Sequence, residues 1–185
     1  FENMGIEYSV EYYPWNRCVE LIETGKADAM FSLRKTEERE KKMIFPSEGL
    51  VQSEWKFFYR KDKKIKYEKM ADLSGLRIAA TTGYAYGEEF WGNKDIIIDE
   101  GYDDIVNMKK VANGRVELFL CNKNDGIKIL KDLQINSIEY SSKNYKEYPL
   151  YLVFSKKERN LELAQRFSEA LKKIKKSGEY KKIYE

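Results

Sequence analysis

Two spacings of apolar residues recur along the chain, every second position and every third to fourth, and they predict short strands alternating with amphipathic helices. Residues 1–5 read as the tail of a helix. Ile6, Tyr8, Val10 and Tyr12 then alternate with polar neighbours, which predicts a strand over residues 6–13. Pro14 suits the opening of a helix, and Trp15, Cys18, Val19, Leu21 and Ile22 fall on one face of it. Gly25 marks its stop, because glycine accepts the left-handed conformation that follows a helix. The apolar run at residues 27–33 has the length of a buried strand. Thr36, Glu37 and Glu38 read as a helix cap and an acidic first turn, and Phe45-Pro46 breaks the chain afterwards.

The second half repeats the alternation. Residues 51–60, with Trp55, Phe57, Phe58 and Tyr59, predict a strand that ends in the charged, solvated run 60–64. A strand is expected at 76–81, a tight turn at Gly83 and a helix over 84–91. A further strand follows at 96–99, a helix at 103–112, and a strand from 115 that ends at Cys121-Asn122. The pattern of 114–120 echoes that of 25–30: a glycine after a helix, a basic residue, an acidic one soon after, and an apolar strand. Asp125 is expected to cap a helix at 126–133, with strands at 135–140 and 149–155 beyond it. Asn160 is expected to cap the last long helix, whose Ala164, Phe167, Leu171 and Ile174 form a core-facing stripe. Gly178 interrupts that helix, and Tyr180, Ile183 and Tyr184 add a terminal turn. Strands alternating with helices predict an α/β fold.

Composition narrows the chemistry. The 42% apolar and 14% aromatic content supports a folded core in spite of 35% charged residues. Thirty-four basic against thirty-one acidic residues give a net charge of +3, too balanced to call for a nucleic-acid partner. The basic excess sits at the end: residues 156–185 carry ten basic and five acidic residues, which leaves −2 on the remainder. No apolar run approaches the length of a membrane span. With no histidine and two cysteines, Cys18 and Cys121, neither a metal site, nor a cofactor, nor histidine-based catalysis is expected, and no catalytic residue is assigned.

The order of pieces between Gly25 and Gly49 is more specific than any of them alone. A helix ending in Gly-Lys-Ala-Asp-Ala, an apolar strand, Thr36-Glu37-Glu38-Arg39 and then Phe45-Pro46-Ser47 resembles the family 3 extracellular solute-binding proteins. Residues 72–83, Asp-Leu-Ser-Gly followed by an apolar strand and a glycine, are similar to that family's entry into its second lobe. The resemblance covers essentially the whole chain. It implies the two-lobed type II periplasmic-binding fold, each lobe a mixed or parallel sheet flanked by helices, joined by two hinge strands. Lobe 1 would comprise 1–58 plus 150–185, and lobe 2 would comprise 59–149. Because family members begin with a further strand and helix, lobe 1 is expected to be incomplete and open to self-association. Cys18 and Cys121 would fall in different lobes and stay free.

The same resemblance implies a ligand cleft. Arg39 would grip a ligand carboxylate as a bidentate fork, with Ser32 and Arg34 beside it. Trp15 and Arg17 match a subgroup's Pro-Trp-x-Arg, although Trp15 equally suits the core and Arg17 the surface. From the other lobe would come the Gly83 turn, Tyr84 and Asn122, with the free N–H groups of the helix after Gly83 turned to an anion. Tyr84 stands where relatives often carry a hydroxyl residue, and Asn122 where many carry an acid for the ligand's ammonium. Together with Arg34 these departures favour an anionic or atypical amino-acid-like solute. The implied function is capture of a small solute by lobe closure for the membrane subunits of an ABC transporter. The implied location is periplasmic or extracellular, including lipid-anchored forms. The extracellular sensor domain of a membrane receptor is the alternative, and an enzyme like cyclohexadienyl dehydratase is a third reading.

Overall fold

The central strands of the fold, over residues 56–59, 78–81 and 118–121, are buried on both faces, which is why their sequences run apolar without strict alternation. The computed structural model describes residues 1–63 and 65–184, so Lys64 of the charged run and Glu185 lie outside the described residues. Two compact units emerge: Phe1–Gln52 with Pro149–Glu185, and Ser53–Tyr148. The chain passes from the first to the second within strand β3 (Val51–Arg60) and returns within β8 (Lys146–Ser155).

Unit 1 is built on β1 (Ala29–Arg34) and the second half of β8, paired antiparallel with Ala29 opposite Phe154 and Arg34 opposite Leu150. The short β2 (Met43–Ile44) pairs with β8 on its other side. Successive β8 residues point to opposite faces, and each face has its own core. Val153 joins Ile22, Met30, Leu33 and Met43 beneath helix α1 (Trp15–Glu23). Phe154 joins Ala164, Phe167 and Leu171 of helix α6 (Arg159–Ser177), so the predicted stripe is core packing. Helix α2 (Glu37–Lys42) follows β1, and the Thr36 hydroxyl accepts the Arg39 N–H at 3.3 Å as its cap. The terminal turn is helix α7 (Glu179–Tyr184).

Unit 2 sets β4 (Arg77–Thr81) parallel to β5 (Ile97–Gly101) and to β6 (Leu118–Asn122). Strand β3 runs antiparallel to β6, with Trp55 opposite Asn122, and also to β7 (Ile138–Tyr140). One face buries Phe57, Ile78, Ala80, Leu118 and Leu120 against Tyr86 and Phe90, the latter on the short helix α3 (Glu88–Trp91). The other buries Phe58, Ala79, Phe119 and Cys121 beneath helices α4 (Asp104–Ala112) and α5 (Lys123–Asp132). Both cysteines are free thiols, Cys121 buried and Cys18 half-buried.

Four local expectations are corrected. Residues 6–13 form no strand among the described residues, and Tyr8, Val10, Tyr12 and Tyr13 are exposed. Alternation supplies a face, but a strand also needs a hydrogen-bonded neighbour, and β1 pairs with β8 instead. The helix expected over 84–91 shrinks to α3, because Tyr86 is buried and Gly87 takes a φ of 99° before it. Asn122 rather than Asp125 caps α5, its side-chain oxygen accepting the N–H groups of Asn124 (2.8 Å) and Asp125 (3.2 Å). Asn160 lies inside α6, which starts after Glu158. Its buried amide instead donates to the backbone oxygen (3.1 Å) and hydroxyl (2.9 Å) of Ser155.

Candidate functional site

In unit 1 the residues of interest converge where β1 ends. A bulge between Met30 and Leu33 interrupts the β1–β8 register, and within it Ser32 takes a φ of 68°, left-handed for a residue that is not glycine. This local strain leaves Ser32 exposed and returns Leu33 to the core. Two residues on, α2 turns Arg39 back so that its guanidinium donates to the Arg34 carbonyl oxygen at 2.9 Å. The guanidinium carbon lies 5.7 Å from the centroid of the Trp15 ring, within cation–π range. Trp15 thus does two things: it packs against the core cluster beneath α1 and forms a platform for Arg39. Burial lowers the Arg39 pKa, and the nearby Arg34 charge lowers it further. Such a place favours an incoming anion, since a carboxylate relieves both effects. Arg17 is engaged differently, pairing with Glu20 at 2.7 Å on a half-exposed helix face.

In unit 2 the corresponding residues lie along the C-terminal ends of β4 and β6. Gly83, with a φ of 83°, makes the turn after β4, and the Thr82 N–H donates to the Gly101 carbonyl at 2.9 Å. No helix begins at that turn, so the free helical N–H groups expected there are replaced by the loop 82–87. Tyr84 is fixed by ring contacts to Trp55 and Tyr86, with centroids 6.0 and 5.9 Å away. Its backbone oxygen accepts the Trp91 indole N–H at 3.2 Å. Asn122 uses its oxygen as the α5 cap and donates from its amide nitrogen to the Ser53 hydroxyl at 2.5 Å.

The structure adds a carboxylate that the sequence reading did not single out. Asp104, at the first turn of α4, accepts the Thr81 hydroxyl at 2.5 Å on one oxygen. Its other oxygen faces the Tyr84 hydroxyl at 3.4 Å and the Cys121 thiol at 3.7 Å. Its partners are hydroxyl and thiol groups rather than cations, and burial pushes its pKa up to about 6. Burial raises the Tyr84 hydroxyl and the Cys121 thiol as well. Asp125 is exposed by surface, yet enough protein packs round its carboxyl to raise its pKa too. The signal in the sequence was the doublet Asp103-Asp104: Asp103 alone caps α4, accepting the Val106 N–H at 2.7 Å, which leaves the second acid without a local task. Among the described residues no three His, Cys, Asp or Glu side chains gather as metal ligands. No described helix is long and apolar enough to cross a membrane.

Comparison with known proteins matches these features to a family. The family model of the bacterial extracellular solute-binding proteins, family 3, matches residues 1–185. No curated protein matches by sequence. Among solved structures, a histidine kinase sensor domain with similarity to periplasmic binding proteins superposes with a TM-score of 0.85 at 18% identity. The match covers 99% of this chain and 79% of that one. An ancestral arginine-binding protein bound to arginine gives 0.83 at 17%, covering 99% and 81%. The substrate binding protein of an amino acid ABC transporter gives 0.80 at 19%, covering 98% and 80%. At these identities the solved structures establish the shared type II periplasmic-binding fold.

Proposed function

Because the chain belongs to the bacterial extracellular solute-binding proteins, family 3, we propose that it captures a small, carboxylate-bearing, amino-acid-like solute outside the cytoplasm and that Arg39 grips the carboxylate. One observation carries this reading: the Arg39 guanidinium is held by the Arg34 carbonyl over the Trp15 ring, in a place where burial and the Arg34 charge both favour an anion. A preset planar fork costs little reorganisation when a carboxylate arrives. Delivery to an ABC transporter follows the family's usual role, and one similar structure is the binding protein of such a transporter. A sensor domain of a membrane receptor is the second reading, favoured by the similarity to a histidine kinase sensor domain. The protein is read as a binder, and incubation with candidate substrates should give no turnover.

The test begins with mass spectrometry of whatever small molecule co-purifies and is released by gentle denaturation. Calorimetric titration of wild type, Arg39→Ala and Arg39→Lys with that molecule then follows. Arg39→Ala should lose roughly 2–5 kcal/mol, about 30-fold to several-thousand-fold in affinity. Arg39→Lys should recover only part of it, because an ammonium cannot reproduce the fork. Binding by Arg39→Ala within about threefold of wild type, under roughly 0.7 kcal/mol, removes Arg39 from the site.

A further inference from the structure

Residues 7–13 leave their backbone unused. They lie in no helix or strand, and among the described residues none of their N–H groups donates a hydrogen bond. Tyr8, Val10 and Tyr12, on one side of the segment, are 55%, 49% and 84% exposed. Glu7, Ser9, Glu11 and Tyr13 alternate with them. The Tyr13 hydroxyl donates to the Glu11 carboxylate two residues back at 2.5 Å, the reach of same-side neighbours in an extended chain. An apolar, alternating segment with a free backbone is a template for another strand. Strand β1 also has an edge that pairs with no described strand, but the bulge between Met30 and Leu33 breaks its ladder and blunts that edge.

The segment carries its own complement. Laid antiparallel on an identical copy, it has one register that uses its whole length and satisfies both faces. With Val10 opposite Val10, Tyr8 meets Tyr12 on the apolar side, while Glu7 meets Tyr13 and Ser9 meets Glu11 on the other. A slip of one residue sets Val10 opposite Ser9 or Glu11 and mixes the two sides. A slip of two residues places Glu7 opposite Glu11 in one direction and Glu11 opposite Glu11 in the other, and like charges directly opposite are destabilising. The favoured register spans residues 7–13 and stops at Pro14, which has no N–H to give.

We propose that residues 7–13 are a docking surface for a second copy of this chain: the two segments pair antiparallel about a two-fold axis, with Val10 opposite Val10. The surface lies wholly in unit 1 and does not depend on the Arg39 site. Two strands with a single apolar side pair weakly, so the association is reversible and governed by protein concentration.

Sedimentation equilibrium of the full chain, from about 1 to 500 μM, should show a monomer–dimer equilibrium. Val10→Lys and Val10→Glu each set like charges opposite one another across the axis and should weaken the dimer at least about tenfold. An equal mixture of the two variants should restore it, because lysine then faces glutamate. Val10 is half exposed and its N–H is unbonded, so both variants keep the fold, which circular dichroism checks. Cross-linking reads the register directly. In a Cys18→Ser background, Val10→Cys should be oxidised by dissolved oxygen to a disulfide-linked dimer, whereas Glu7→Cys, whose two copies lie at opposite ends of the pairing, should not. A monomer at every concentration, a dimer that Val10→Lys leaves intact, a mixture no tighter than either variant alone, or cross-linking at 7 as readily as at 10 overturns the proposal.

Discussion

Gly126→Ala offers the sharpest test of how unit 2 is packed. Gly126 lies buried in the first half of α5, directly over the ring of Phe58 in β3. A methyl group built there would sit 2.2 Å from Cζ of Phe58, and 2.6 and 2.7 Å from its two Cε atoms. Ordinary contact begins near 3.4 Å, so ring and helix must part by roughly 1 Å. The ring has little room to give: Phe58 is fully buried between the pairings of β3 with β6 and β7, and its ring meets Tyr140 at 5.5 Å. Overpacking of this kind costs about 1–3 kcal/mol. Against it stands a helix-propensity gain of up to about 1 kcal/mol for alanine over glycine. The overlap should win, for a net loss of about 1–2 kcal/mol.

Urea denaturation followed by the fluorescence of Trp55 and Trp91, both in unit 2, in a Trp15→Phe background that removes the unit 1 signal, measures it without assuming that the two units unfold together. In a Phe58→Leu background the obstacle shrinks, and Gly126→Ala should become neutral or mildly stabilising. The double-mutant coupling should then be at least about 1 kcal/mol. A wild-type background in which Gly126→Ala is as stable as glycine, or more stable, refutes the close approach of α5 to β3.

Thr36→Ala removes the oxygen that accepts the Arg39 N–H at 3.3 Å. It should cost about 0.5–1 kcal/mol of stability by chemical denaturation, and it should weaken ligand affinity by a larger factor than that loss explains, because α2 carries Arg39. Equal changes in both measurements would sink the link between the cap and the site. The Asp104 pKa is raised on folding, so its ionised form opposes folding above pH 6, and that opposition fades as pH falls towards the unfolded value near 4. The thermal midpoint of unit 2 should therefore rise between pH 7.5 and 5 in wild type and rise less in Asp104→Asn; parallel profiles would contradict it.

Element type was legible wherever a local rule and the tertiary environment agreed. The apolar face of α1, the Thr36 cap and the runs that became β4 and β6 each needed only their own residues, and the stripe of α6 needed only its spacing. Residues 6–13 show the limit of that reasoning. Ile6, Tyr8, Val10 and Tyr12 have the pattern of a strand, but pairing is a property of two segments, and the sequence names only one. The loop 82–87 failed in the opposite way. A helix was expected from Tyr84, directly after the Gly83 turn, while burial of Tyr86 and the left-handed Gly87 hold the chain off helical geometry until Glu88.

The polar residues were harder because the groups that cap helices are also those that bind ligands. Asn122 and Asp125 stand three residues apart at the start of α5, and either could cap it. The structure gives the task to Asn122, which leaves the carboxyl of Asp125 free of capping and places a negative charge in unit 2. Asp103 and Asp104 divide their labour in the same way at the start of α4. The first takes the helix N–H, and the second goes under Thr81, Tyr84 and Cys121. The expectation of an anionic or atypical amino-acid-like solute rested on Arg34 together with Asn122, which is neutral where relatives carry an acid. With Asp104 and Asp125 present near the same strand ends, unit 2 keeps an acidic character that its β6 terminus alone does not show.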